Sequence, residues 1–200
     1  MRRLIMLGLL AATLTVSLNA AAQTPVRRIR GTVQVLDGNT LTVLAREGDT
    51  LRIQLAPNYT VAAVIPALLA DAKPGTFIGT AAVGPKTNLR AVEVLIFPEA
   101  MRGTGEGHYP WDLMPESTMT NATIESESTG VEGQDLMLNA KGEKLKVSVP
   151  SAAQIVTFAP GTTDMLTPGA HVFIGAQTSA DGTLSAARVA VGRDGLTPPM

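Results

Sequence analysis

Two stretches of this chain, Gly38 to Val94 and Gly133 to Val189, carry the same order of strand patterns at a nearly constant spacing. Gly133 stands 95 positions after Gly38, and Leu184 stands 95 positions after Leu89. A pattern written twice predicts one small fold built twice rather than one large core. The shared words are ordered: Pro74-Gly75, Phe77-Ile78-Gly79, a turn, then Leu89-x-Ala91-x-x-Val94 in the first copy. Pro168-Gly169, Phe173-Ile174-Gly175, a turn and Leu184-x-Ala186-x-x-Val189 answer them in the second.

Within the first copy the apolar residues follow a period of two. Val33 and Val35 alternate with Thr32 and Gln34, and Leu41, Val43 and Ala45 follow after the turn Asp37-Gly38-Asn39, which predicts a hairpin. Leu51, Ile53 and Leu55 give a third strand. Val61, Val64, Ile65, Leu68 and Leu69 then fall at helical spacing around Pro66, which predicts a short helix starting at that proline. The runs Phe77 to Val83 and Leu89 to Phe97 supply a fourth and a fifth strand. Three strands, a helix and two strands is the order of a five-stranded OB barrel. The expected fold is therefore all-β with short helices: a tandem duplication of OB-like barrels joined by a structured linker rich in glycine and aromatic residues.

Arg2 and Arg3 precede an apolar run from Leu4 to Val16, followed by Ala20-Ala21-Ala22. This is the pattern of a cleavable secretory signal. The run would span only about 20 Å as a helix, short of a bilayer's ~30 Å core. The expected divisions are a signal peptide at 1–22, repeat 1 at 23–98, a linker at 99–120, repeat 2 at 121–194 and a tail at 195–200. Periplasmic or secreted localisation follows, and the mature protein is not expected to be an integral membrane protein. The chain has no cysteine, which excludes disulfides, thiol catalysis and thiolate metal sites. Its 16 basic and 17 acidic residues give a formal charge of −1, and loss of Arg2 and Arg3 makes it −3.

The linker gathers rare residue types. His108, Tyr109 and the single tryptophan, Trp111, lie within four positions, flanked by Gly103, Gly105, Gly107 and Pro110. Two readings stand side by side. In one, Arg102, Glu106, His108, Tyr109, Trp111 and Asp112 form a recognition surface, the aromatic rings giving amphipathic contact area. In the other, Trp111 and Tyr109 plug the seam between two barrels. Burial of both Trp111 and His108 would decide for the plug.

Other chemistries lack their signatures. Gly103-Thr104-Gly105-Glu106-Gly107 has no Gly-Lys-Ser/Thr ending, so it is no phosphate loop. His-Glu-x-x-His, Gly-x-Ser-x-Gly and Ser-x-x-Lys are missing, so no catalytic residue is assigned and no cofactor is expected. His108 with Met101, Met114 and Met119 offers ligand types suited to copper, yet no paired ligand spacing occurs. A mildly acidic chain whose basic residues are scattered, apart from Arg27, Arg28 and Arg30, does not predict nucleic acid binding.

With its leader, two OB-like repeats and the segment from Phe97 through Trp111-Asp112, the chain resembles a secreted bacterial OB-like repeat family classed as a domain of unknown function. The likeness covers essentially the whole mature chain and implies no catalytic residue. Some members carry metal-transport labels, so the alternatives are a periplasmic copper or zinc accessory protein and an enzyme without a recognisable motif. The reading adopted is an exported, non-catalytic binding or envelope-associated module, its partner an unidentified protein or envelope component.

Overall fold

The computed structural model describes residues 26–131 and 133–200, so the expected signal peptide lies outside the described residues. Strands dominate, in the order β1 (Val26–Asp37), β2 (Thr40–Ala45), β3 (Thr50–Pro66), β4 (Phe77–Val83), β5 (Leu89–Ala91) and β6 (Glu93–Ile96) in the first half. The connector contributes β7 (Gly107–Pro110). The second half contains β8 (Thr118–Thr129), β9 (Gly133–Ala140), β10 (Glu143–Pro150), β11 (Gln154–Pro160), β12 (His171–Thr178) and β13 (Leu184–Gly192). Among the described residues no helix is long and apolar enough to cross a membrane.

Alternating apolar residues bury one face of each hairpin. Leu41, Val43 and Ala45 of β2 point inward, as do Leu136, Leu138 and Ala140 of β9. The tight turn from β9 to β10 holds Lys141 at φ 52° and Gly142 at φ 89°, the left-handed pair that a two-residue hairpin requires.

The sheet closes on itself. In the first barrel the meander β1–β2–β3 is completed by β12 and β13: β1 pairs antiparallel with β12 (Ile29 opposite Ile174), and β13 runs parallel to β3 (Val189 opposite Val61). The second barrel repeats the pattern with β8–β9–β10, antiparallel β4 (Ala81 opposite Met119) and parallel β5 (Leu89 opposite Val147). Each barrel thus combines three strands of one half with two of the other. The sequence expectation of one barrel from residues 23–98 and another from 121–194 differs from this connectivity. A period of two states which face a strand buries, but not which strand lies beside it. Two halves with the same pattern leave partner choice to tertiary packing.

A second difference lies at Val61–Ile65. No helix starts at Pro66. β3 continues to Pro66, and only a 3-10 turn at Leu69–Asp71 follows. This run pairs on one side with β13 and on the other with β11, Val64 lying opposite both Gly192 and Phe158. Ala62, Ala63 and Val64 are all buried, so the alternation that marks a half-exposed strand disappears.

Three apolar clusters result. One fills the first barrel around Ile29, Leu41, Ile53 and Ile174. Another fills the second around Ile78, Ile124, Leu138 and Val147. The third lies at the seam, where Val64, Phe77, Leu95, Phe97, Val156 and Ala190 meet. The residues expected to form a tail join this seam, for Leu196 packs against the cluster and Met200 is 4% exposed.

Candidate functional site

The connector begins with a 3-10 turn, Glu99–Met101, fastened by Arg102. That guanidinium donates to both Glu99 carboxylate oxygens, at 2.6 and 2.7 Å, and to the Gly75 carbonyl at 2.8 Å. Its hydrogen bond to Arg102 holds the exposed Glu99 carboxyl below the usual carboxylate range. Glu106 accepts from the Lys141 backbone N–H. These two residues therefore anchor the connector to the second barrel.

β7 then adds to β8, with His108 opposite Thr120 and Tyr109 opposite Met119. Strand alternation sends successive side chains to opposite faces. His108 turns to the β8 side, its Nδ1 lying 2.8 Å from Thr120 Oγ1. Burial lowers the imidazole pKa, Lys86 lowers it further and Glu143 opposes. Tyr109 and Trp111 turn instead to the seam. Tyr109 OH accepts from Asn121 Nδ2 at 3.3 Å, and its ring meets Trp111 edge-on with centroids 6.0 Å apart. Beyond Trp111 the loop folds back, the Trp111 N–H donating to the Ser117 carbonyl at 2.8 Å.

Trp111 is held from the first barrel by two arginines. The Arg28 guanidinium lies 4.0 Å from its ring centroid, and that of Arg30 lies 5.9 Å from Trp111 and 5.3 Å from Phe173. Asp112 receives Arg30 Nη2 at 2.9 Å and has Arg28 Nη1 at 3.8 Å. Partial burial pushes the Asp112 carboxyl up, but the hydrogen bond and charge of Arg30, with the charge of Arg28, outweigh it and hold it below the ordinary value. The connector is thus clasped by one barrel through Asp112 and Trp111 and by the other through Arg102, Glu106 and His108.

Between these attachments lies a cavity of about 290 Å³. Its wall combines Leu95 and Phe97 from the end of β6, Met101, Tyr109 and Trp111 from the connector, Met119 and Asn121 of β8, Phe158 of β11, Phe173 of β12, and Arg188 of β13. The rings of Phe97 and Phe158 stand 6.1 Å apart, and those of Trp111 and Phe173 6.4 Å apart. Two polar atoms among the wall residues are buried without a hydrogen-bond partner, Trp111 Nε1 and Asn121 Oδ1. Asn121 sits over Gly79, where an added Cβ would lie 2.6 Å from its Oδ1. Glycine at that position lets the amide reach the seam.

The six residues expected in the connector therefore divide. Tyr109 and Trp111 line the cavity, Asp112 fixes the arginines over Trp111, and Arg102, Glu106 and His108 act as fastenings. Neither Trp111 nor His108 is fully buried; both are half-buried. Sequence reasoning missed Phe97, Phe158, Phe173 and Arg188 as wall residues, since they come from separate strands. It also missed Glu93, the one acid in the apolar run Ala91 to Phe97, which shares a strand face with Leu95 and Phe97. Glu93 is fully buried, and neither carboxyl oxygen has a hydrogen-bond partner. Burial pushes its pKa up to about 8 against the opposing charge of Arg30.

Among the described residues no three His, Asp or Glu side chains come together to hold a metal ion. Comparisons with protein-family models, with curated proteins and with solved structures found no match.

Proposed function

We propose that the protein is an exported, non-catalytic binding module, built from two related OB-like halves, whose ligand site is the apolar cavity at the seam. One observation carries the reading: the aromatic residues of the connector form one wall of a 290 Å³ cavity whose other walls come from both halves. An open apolar cavity with a few polar groups is the usual form of a small-molecule site. Trp111 combines the two roles weighed for the connector, since it bridges the barrels and faces the cavity. Export rests on the pattern from Arg2 to Ala22. The OB-like and duplicated character rests on the strand order, in which β1–β2–β3 followed by β13 and β12 matches β8–β9–β10 followed by β5 and β4.

Trp111 is the chain's single tryptophan, so its emission reports on the cavity directly. 1-Decanol is expected to shift and saturate that emission at micromolar to millimolar concentration. Gly175→Phe is the blocking variant: Gly175 lines the cavity, and its Cβ would meet only Val26 Cγ1 at 3.6 Å, an ordinary contact. Loss of saturable binding in the folded variant supports the site. Equal affinity in both proteins, or no binding to the parent, overturns it.

A further inference from the structure

We infer that the occupant of the seam cavity is an apolar monocarboxylate of about twelve heavy atoms, its body among the aromatic walls and its carboxylate on Arg188. The inference rests on the reading of the cavity as a binding site and adds the chemistry of the ligand.

Size comes first. An engineered apolar cavity of about 150 Å³ holds the six carbons of benzene. The seam cavity, at about 290 Å³, offers nearly twice that volume. Twelve heavy atoms fill it to a similar degree. The walls set the character of the body. Leu95, Phe97, Phe158 and Phe173 present no charge and no hydrogen-bonding side-chain atom, so a polar body loses its hydration there without replacement.

Charge then fixes the head group. Arg188 is the one charged side chain in the cavity wall, and it is exposed. Its Nη2 lies 3.9 Å from Met101 Sδ, a weak acceptor, and among the described residues no carboxylate pairs with it. Arg28 and Arg30 share Asp112 instead, and Arg30 Nε also donates to Met200 O. A guanidinium presents a planar fork that fits a carboxylate with two parallel hydrogen bonds. One guanidinium balances one negative charge, which favours a monocarboxylate over a phosphate dianion.

The test compares decanoate with 1-decanol, which have the same chain, at pH 7 and below the micelle concentration of decanoate. Binding is read by Trp111 emission and by calorimetry, in the native protein and in Arg188→Gln. Decanoate is expected to bind about fivefold more tightly than decanol in the native protein, the upper end for an exposed ion pair. The ratio of decanoate to decanol affinity should fall to about one in Arg188→Gln, and in the native protein it should shrink in high salt. Decanol binding as tightly as decanoate in the native protein overturns the carboxylate inference and leaves the cavity reading standing. Persistence of the advantage in Arg188→Gln likewise overturns the role of Arg188. Absence of binding by both probes overturns the inference together with the cavity reading on which it rests.

Discussion

Replacing Glu93 with glutamine should change how the stability of this protein depends on pH. The glutamine keeps the shape of the side chain and removes its ionisation. In the fold, burial raises the Glu93 pKa from 4.5 to about 8, so between those values the folded chain keeps a proton that the unfolded chain has released. The sign follows from linkage: where the folded state binds more protons, stability falls as pH rises, by ~1.36 kcal/mol per unit. The favourable contribution is complete below pH 4.5 and is lost as pH climbs through 8. Allowing for partial titration at both ends, the native protein should lose about 3 to 4 kcal/mol between pH 5 and pH 8 through this group alone. Urea unfolding followed by Trp111 emission at pH 5, 6.5 and 8 gives the comparison, because other titrating groups contribute equally to parent and variant. The stability gap in favour of Glu93→Gln should widen by that amount across the range. Parallel curves, or a gap that narrows with rising pH, would refute the reasoning and place an ionised Glu93 in a compensating pair with Arg30.

Three further substitutions test the seam. Trp111→Ala should cost about 2 kcal/mol by thermal melting, below the ~3 to 5 kcal/mol of a fully enclosed tryptophan, because the ring is half-buried against an open cavity. Gly79→Ala should cost about 1 to 3 kcal/mol, since its Cβ would lie 2.6 Å from Asn121 Oδ1 and 3.1 Å from Phe97 Cε2 in packed surroundings. Asp112→Asn removes the Asp112 charge from the buried Arg30 guanidinium, whose Nε keeps its hydrogen bond to Met200 O, and should cost about 1 to 3 kcal/mol in urea unfolding. A loss as small as that of an ordinary surface change would show that the Asp112 clasp is not needed.

The sequence made strands legible where one face meets water. Leu41, Val43 and Ala45 alternate with polar or exposed neighbours because β2 has a core side and a solvent side, and Asp37-Gly38-Asn39 marks its turn. Val61 to Ile65 misled because this part of β3 is flanked by strands on both edges and buried across Ala62, Ala63 and Val64, so a two-residue period has nothing to record. Partner choice was hidden for a related reason. Phe77-Ile78-Gly79 and Phe173-Ile174-Gly175 are nearly interchangeable words, and nothing in either specifies the meander it closes. In the site, the clustering of Tyr109 and Trp111 was visible because both come from one segment. Phe97, Phe158, Phe173 and Arg188 reach the same cavity from positions far apart in the chain that only tertiary packing brings together. Glu93 carried a readable signal, a lone acid in an apolar run, but its significance depends on burial without a partner.

On the proposed function, an apolar ligand occupies the seam between the barrels rather than a barrel interior. Diffraction from crystals equilibrated with 1-bromooctane tests it most directly, since bromine marks the site by anomalous scattering. A bromine peak is expected within the cavity bounded by Trp111, Phe97 and Phe173. Bromine ordered only inside a barrel or on the outer surface, with that cavity unoccupied, would contradict it.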